Sequence, residues 1–496
     1  MDLTVILVVI AIFCITLYYI RTPGNLPPGH FKFPIFGSIF LLHKLSKRRN
    51  HLVFADEARK YGSVFRWYLG NQMFVVLSGM DVINEALVKK AEVFSNRPEN
   101  KGEVTGATKG IAWSNYGQYW RALRKFTSRA LRDFGVGKTS IEEKISFEIQ
   151  FVIDTLQSAD GQPVSISDLI RKLVANVNYE IIFGKRFDYD DRELDRMTEL
   201  SEVLNNASPI SAAIFLPEFL AKLVKKTDSE IEKKRKAVLN DIAKYIGEQI
   251  EEHRNTFDPA NLRDFLDLYL DVDRNKTDEE DSFINRDSMF WIIVDLFVAG
   301  TETTKTALSW AFLYLVEFPG VQEKCQKEIE TKINDKAIQY SDRDRLVYVS
   351  AFIMEVHRHC CMVPLNIPHC ASEDSTLSGF HIPKGTVILP MQYSVSMDPN
   401  LFKDPETFDP ERFIDEEGQL INNLPFVPFS IGPRVCMGEA LARTEMFLVI
   451  TTLLQNFKFL REDPNIPQSF ESDANCSQLN CPLPVKLRAI KRKQTE

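Results

Sequence analysis

Near its C-terminus the chain reads Phe426-Val427-Pro428-Phe429-Ser430-Ile431-Gly432-Pro433-Arg434-Val435-Cys436-Met437-Gly438-Glu439, followed by an amphipathic stretch from about Ala440 to Leu454. A cysteine at the mouth of a helix is a candidate thiolate. The helix N-terminus offers partial positive charge and free N–H groups, which lower a thiol pKa. Gly432 permits a tight turn, and Gly438 permits close approach of backbone to a flat ligand. Arg434 can form a charge-assisted pair with a carboxylate. Most lone cysteines are buried and inert. An arginine, two glycines and an aromatic around Cys436 point instead to a thiolate that holds a ligand.

A second segment carries chemistry-bearing residues in an unexpected place. Ser288 to Phe318 is apolar on most of its circumference and stops at Pro319-Gly320. Roughly thirty residues at ~1.5 Å each give a helix of about 45 Å. Asp295, Glu302 and Lys305 interrupt it, so it reads as a helix through a protein core rather than a membrane span. Its centre, Gly300-Thr301-Glu302-Thr303-Thr304, is polar. Gly costs ~1 kcal/mol relative to Ala inside a helix. A Thr hydroxyl can bond the carbonyl three or four residues back. Together they predict a local distortion of the helix.

The remaining elements must position these two segments. Ile141 to Gln157 and Ile231 to Arg254 carry apolar residues at helical spacing, while Val64 to Val76 and Gly385 to Leu389 are β-branched runs. Lys225 to Lys236 lies in a helical pattern and reads as a solvated face. No linker or repeat divides the chain after about residue 35. The expected fold class is mainly α (α+β): one large helical domain, 38–496, with small β-sheets. Ahead of it, Leu3 to Ile20 holds eighteen uncharged residues, about 27 Å as a helix. The acidic Asp2 precedes this run; Arg21, Lys32, Lys44, Lys47, Arg48 and Arg49 follow it. That asymmetry favours an uncleaved transmembrane anchor, 1–21, with a cytosolic body over a cleaved signal. Pro23-Gly24, Pro27-Pro28-Gly29 and Pro34 make 22–37 a stiff neck. The glycosylation patterns at Asn206, Asn275 and Asn475 should then stay bare.

Composition excludes other classes. The 496 residues are 44% hydrophobic and 26% charged, which rules out a disordered chain. A net charge of −8 argues against a nucleic-acid binder. The eight cysteines contain no Cys-x-x-Cys pair, so common zinc, redox and covalent-haem motifs are absent.

Phe429-x-x-Gly432-x-Arg434-x-Cys436-x-Gly438 resembles the haem-binding loop of the cytochrome P-450 family, the haem-thiolate monooxygenases of animal microsomal type. All five fixed positions are filled. Ala299-Gly300-Thr301-Glu302-Thr303-Thr304 looks like the family's oxygen-activating motif. Glu355-x-x-Arg358 looks like its buried ion pair. The same spacing recurs at Glu193, Glu232 and Glu251, but only Glu355 lies 436 − 355 = 81 residues before the cysteine. Phe408-Asp409-Pro410-Glu411-Arg412-Phe413, Trp120-x-x-x-Arg124 and Pro364-Leu365-x-x-Pro368-His369 match further segments. Met397-Asp398-Pro399 departs from the pattern, because many relatives carry a His shortly before Asp-Pro.

The resemblance implies oxygen insertion: RH + O2 + 2 electrons + 2 protons gives ROH + water. It implies haem b, with Cys436 as the axial thiolate that favours O–O cleavage. Glu302 and Thr303 would deliver protons. Trp120, Arg124, His369 and Arg434 would hold the propionates, with Ala299, Phe429 and Gly438 against the ring. Glu355, Arg358 and Arg412 would form a structural network. Ile111, Phe297, Val298, Ala299, Val363, Ile367 and Cys476 are expected walls of a lipophilic pocket, with core packing an equal alternative. Phe215 and Leu216 could dip into the bilayer. The substrate could be a steroid, fatty acid or xenobiotic. No nucleotide fingerprint is fused to the chain, so electrons would come from NADPH through a flavoprotein reductase, with cytochrome b5 an optional partner. Arg121 and Lys125 could form the docking face. The endoplasmic reticulum membrane is the implied location. Two other readings stay open: a haem-thiolate isomerase or dehydratase acting on a peroxide, and a non-catalytic haem-binding membrane protein.

Overall fold

The computed structural model describes residues 25–33, 36–98, 107–205, 229–276, 279–421, 424–474, 476 and 479–492, together with Val9, Ile10, Ile12 and Phe13. Most of the expected anchor lies outside the described residues, as do Pro23, Gly24, Pro34, Asn206, Asn475, Phe215 and Leu216. Among the described residues no helix is long and apolar enough to cross a membrane. Asn275 is exposed, and its Nδ2 donates to Asp271 Oδ1 at 2.9 Å.

The body is largely helical. Seven helices matter for the site: α1 (Gln118–Asp133), α2 (Thr139–Ser158), α3 (Ile166–Phe183), α4 (Ser229–Thr256), α5 (Arg286–Glu317), α6 (Val347–Cys360) and α7 (Glu439–Asn456). The 32-residue α5 is the axis. Asn285 caps it by accepting the N–H groups of Asp287 and Ser288, and the Ser288 hydroxyl accepts the Asn285 N–H. This reciprocal capping fixes the start of the helix. Pro319 opens the next helix and ends α5.

Two apolar clusters lie along α5. Met289 to Phe297 pack with Trp120, Leu123 and Phe126 of α1, Tyr179 of α3, and Ile242, Ile246 and Ile250 of α4. Ala307 to Val316 pack with Ile145 and Ile149 of α2, Phe352 and Val356 of α6, and Phe447 and Ile450 of α7. The polar run Gly300–Thr304 falls between them. α5 stays helical through it. Thr303 Oγ1 donates to the Ala299 carbonyl at 2.5 Å, a bond made inside the helix. Gly300 is needed for packing: a Cβ there would lie 2.8 Å from Asn178 Oδ1. Asn178 Nδ2 in turn donates to Thr301 Oγ1 at 3.3 Å. Asn178 thus supplies a partner to the polar run from the neighbouring helix.

The sheets are small. Strands β1 (Val64–Leu69), β2 (Gln72–Ser78), β3 (Pro163–Ser165), β4 (His369–Cys370), β5 (Ser375–Leu377), β6 (Phe380–Ile382), β7 (Val387–Met391), β8 (Phe457–Arg461) and β9 (Lys486–Lys491) form three sheets, ordered β1-β2-β7-β4, β3-β9-β8 and β5-β6. β1 and β2 are antiparallel, whereas β2 and β7 run parallel. Part of the expected free neck joins the first sheet. Arg66 N–H donates to Pro28 O at 2.8 Å, His30 N–H to Arg66 O at 3.1 Å, and Gly37 bridges Leu69.

Candidate haem-binding site

Cys436 sits in a loop before α7. Its N–H donates to the Phe429 carbonyl at 3.0 Å, which closes the loop. Gly432 has φ +77°, and a Cβ there would lie 1.9 Å from the Leu87 carbonyl oxygen, so the turn accepts only glycine. Gly438 caps α7 at its N-terminus, with its Cα side 3.9 Å from Cys436 Sγ as measured from the position a Cβ would take. Cys436 keeps exposed surface and forms no disulfide, while loop atoms crowd its sulfur from the protein side. The expectation of a lowered thiol pKa needs correction. Burial among the surrounding atoms pushes the thiol up and outweighs the N–H groups of Gly438 and Glu439 and the Arg124 charge, which pull it down. Phe429 meets the His357 ring edge-on at 5.3 Å, and Arg443 lies over its face at 4.9 Å.

A cationic cluster flanks the thiol. Arg124 Nη2 donates to Val435 O at 2.7 Å. Arg434 donates to the carbonyls of Ser95, Ile111 and Ser114 at 3.0, 3.1 and 2.5 Å. Its guanidinium lies 4.4 Å from the Trp120 ring centre, and that of Arg124 5.4 Å. Burial, with Arg124 nearby, lowers the Arg434 pKa to about 10. Sequence reasoning missed a third member. Arg97 is 5% exposed and donates to the carbonyls of Ala112, Ile367 and Pro368 at 2.9, 3.2 and 2.8 Å. No motif marks it, and only its burial reveals it.

Among the described residues no carboxylate lies within ion-pair distance of Arg97, Arg124 or Arg434. Trp120 is 3% exposed, and its Nε1 has no hydrogen-bond partner. One buried and two half-buried guanidiniums bonded to carbonyls, beside an orphaned buried indole N–H, suit an anion. His369, 1% exposed on β4, spends Nδ1 on the Phe94 carbonyl at 2.6 Å. Burial and Arg97 hold its ring well below the ordinary histidine pKa.

The other expected residues divide. Glu302 is buried, its Oε2 3.2 Å from Lys305 Nζ. Thr303 is half-buried and Ala299 exposed. Leu296 of α5 and Met437, the neighbour of Cys436, each pack against both apolar clusters. Phe297 is fully buried and meets Tyr179 edge-on at 5.3 Å. Ile111 is buried, Val298, Val363 and Cys476 are half-buried, and Ile367 is exposed.

Glu355 and Arg358 form a bidentate pair on α6, at 2.6 and 2.7 Å. Arg412 Nε joins Glu355 Oε1 at 3.2 Å, and the Asp409 N–H donates to the same oxygen at 2.8 Å. Arg358 also donates to the carbonyls of Ser396 and Pro405, each at 2.8 Å. Met397 has a place here: its Sδ lies 3.9 Å from Arg358 Nη1.

The family pattern described as cytochrome P450 matches residues 27–487. The chain belongs to the cytochrome P450 family. It is 37% identical over 468 residues to cytochrome P450 2U1 of Bos taurus, covering 88% of this chain and 84% of that one. It is also 37% identical over 454 residues to cytochrome P450 2B4 of Oryctolagus cuniculus, covering 90% of each. This cytochrome P450 is accordingly a haem-dependent monooxygenase that uses O2 and electrons from NADPH through a reductase, acting on lipophilic small molecules, with cytochrome b5 an optional partner. The donor set fits that group. A thiol at a helix N-terminus suits the iron. Trp120 Nε1, the buried Arg97 and the half-buried Arg124 and Arg434 suit the carboxylates at one edge of the macrocycle.

Proposed function

We propose that this cytochrome P450 holds its haem through Cys436 and hydroxylates lipophilic substrates at the membrane surface of the endoplasmic reticulum. The orphaned Trp120 Nε1, beside arginines that have no carboxylate at ion-pair distance among the described residues, carries the reading. When bound, the haem supplies the redox chemistry of dioxygen cleavage. Cys436 must give up a proton to bind the metal. Because burial pushes its thiol up, iron binding and proton release are coupled. The N–H groups of Gly438 and Glu439 then hold the sulfur charge.

Arg97, Arg124, Arg434 and Trp120 would hold the haem propionates. His369 enters differently. With Nδ1–H spent on Phe94, its neutral ring presents a lone pair at Nε2, so a propionate contact there requires it to take up a proton. Thr303 Oγ1 keeps its lone pairs while its hydrogen goes to Ala299 O, so it can accept a proton from Glu302 or water and pass on its own. Lys305 Nζ holds Glu302 Oε2 at 3.2 Å, which fixes where that carboxylate sits on α5.

The apolar run Leu3–Ile20 supports a membrane anchor over 1–21, followed by the neck, 22–37, and the catalytic body, 38–496. Phe31, Phe36, Ile39 and Phe40 are 68%, 47%, 43% and 70% exposed, a cluster at the neck that suits a lipid surface. The test uses the full chain with a reductase and a panel of lipophilic compounds. The reading requires NADPH and O2 to be consumed together with a hydroxylated product. Rearrangement of an organic peroxide without any reductase requirement would replace it with the isomerase reading.

A further inference from the structure

Tyr314 and His359 form a hydrogen-bonded pair that the oxygenase reading does not use. Tyr314 is 1% exposed on α5, and its hydroxyl lies 2.7 Å from His359 Nδ1, near the end of α6. The other ring nitrogen sets the direction of that bond. His359 Nε2 lies 2.9 Å from the Glu406 carbonyl, which only accepts, so Nε2 carries a hydrogen. Burial holds the ring below the ordinary histidine range, although the Glu406 bond favours its charged form. The neutral ring has its lone pair at Nδ1, and Tyr314 donates into it.

Burial also pushes the Tyr314 hydroxyl well above the ordinary tyrosine range, so the side chain does not ionise by itself. Such a phenol loses an electron readily only when its proton leaves with it. A neutral imidazole on the hydroxyl is a base placed to take that proton. The surrounding rings suit the step. Phe408 stacks on Tyr314 at 4.2 Å and 12°, Phe470 at 5.5 Å and 25°, and Trp310 at 5.7 Å and 25°. Trp310 is 2% exposed and donates Nε1 to Asn480 O at 2.6 Å. Along α5, Trp310 lies about 10 Å from Thr303, and Tyr314 about 16 Å. Tryptophan and tyrosine are the aromatic side chains that give up an electron most easily. Trp310 thus stands as an intermediate step between the oxygen-handling run of α5 and Tyr314.

We propose that Tyr314 is a redox-active tyrosine, oxidised by way of Trp310 with His359 as its proton acceptor, that takes up an oxidising equivalent when no substrate is present. This rests on the oxygenase reading, which supplies the oxidant. Once one oxygen atom of O2 has left as water, the second normally goes to RH. Without RH it needs two electrons and two protons to become water. Tyr314 supplies one electron and the reductase the other, and both protons come from solvent. As its electron leaves, the Tyr314 hydroxyl proton moves to His359 Nδ1. The products are a neutral tyrosyl radical and an imidazolium. One further electron from the reductase, with return of that proton, restores the phenol and the neutral ring. The proton crosses one hydrogen bond and comes back, so the buried hydroxyl needs no channel to solvent.

The test uses the haem-loaded full chain without substrate, mixed with cumene hydroperoxide, which delivers the same oxygen atom without the reductase. Samples are freeze-quenched and read by electron paramagnetic resonance. The expected result is a tyrosyl signal that narrows in protein grown on ring-deuterated tyrosine and is lost in Tyr314→Phe. His359→Gln keeps a hydrogen-bond acceptor but no base, and its signal should fall about tenfold or more. Trp310→Phe should slow the appearance of the signal several-fold. In the parent, electron–nuclear double resonance should show a proton coupled to the phenoxyl oxygen that exchanges in deuterium oxide. The carbon monoxide difference spectrum checks the haem site of each variant. A parent with a red-shifted band but no tyrosyl signal overturns this proposal alone. A parent with neither that band nor NADPH consumption overturns the oxygenase reading. A full signal in Tyr314→Phe overturns Tyr314 as the site. A full signal in His359→Gln, or no exchangeable proton in the parent, overturns His359 as the acceptor, and an unchanged rate in Trp310→Phe overturns the route.

Discussion

Glu445 shows how one buried group shapes pH behaviour. It lies on α7, 1% exposed, with Oε1 unpartnered and a hydrogen bond to Thr304. Burial raises its pKa to about 8. Between its ordinary value and about 8 the folded chain holds a proton that the unfolded chain has lost, so this group lowers stability as pH rises through that window. Glu445→Gln should match the parent near about pH 5 and exceed it near about pH 9 by on the order of a few kcal/mol. Parallel curves of thermal midpoint against pH would refute this. Gly432→Ala should cost ~1–3 kcal/mol or more, because φ +77° and the Leu87 carbonyl both oppose a side chain; the yield of haem-loaded protein reads it. At this scale the sequence was legible where a residue type is forced, as at Gly432 and Cys436. It was silent where only burial gives meaning. Arg97 sits in no recognised pattern, and the direction of the Cys436 thiol shift depends on how many atoms crowd the loop.

Elements were more legible, because periodicity follows directly from which face is buried. Ile141 to Gln157 became α2, Ile231 to Arg254 became α4, and Ser288 to Phe318 became α5 within a few residues. The β-branched run Val64 to Val76 became two strands because Gly70 turns the chain at φ +58°. The polar run of α5 was legible as a run, but its partner Asn178 on α3 was not, because that contact spans distant parts of the chain. The α6 network depends on contacts that sequence spacing alone could not select from four similar patterns. Removing Glu355 strands two buried guanidiniums, so Glu355→Ala should cost roughly 3–5 kcal/mol and abolish haem incorporation. Arg358→Lys should fail almost as fully, because one ammonium cannot reproduce the bidentate pair and the carbonyl bonds together. Normal haem content in either variant would contradict this account.

The whole molecule must meet a membrane and an electron donor. Deleting 1–21 should leave binding to vesicles through the exposed Phe31, Phe36, Ile39 and Phe40. Phe36→Ser with Phe40→Ser should then weaken partitioning about tenfold or more; unchanged flotation would remove the neck from the interface. Arg121 stacks at 4.8 Å on Tyr116, and Lys125 pairs with Glu280 at 2.8 Å, both exposed on α1. Alanine at both should raise the reductase concentration for half-maximal turnover and leave the haem spectrum unchanged. An unchanged reductase dependence would remove that docking face. Substrate identity was not legible, because walls such as Val298 and Val363 are apolar in the same way as the core around them. The central claim is haem held by Cys436, and the carbon monoxide difference spectrum of the reduced protein tests it most directly. A strongly red-shifted Soret band in the parent, lost in Cys436→Ser, is the predicted result; a parent band at the position of a neutral-thiol or histidine-bound haem, or a red-shifted band that survives in Cys436→Ser, would contradict it.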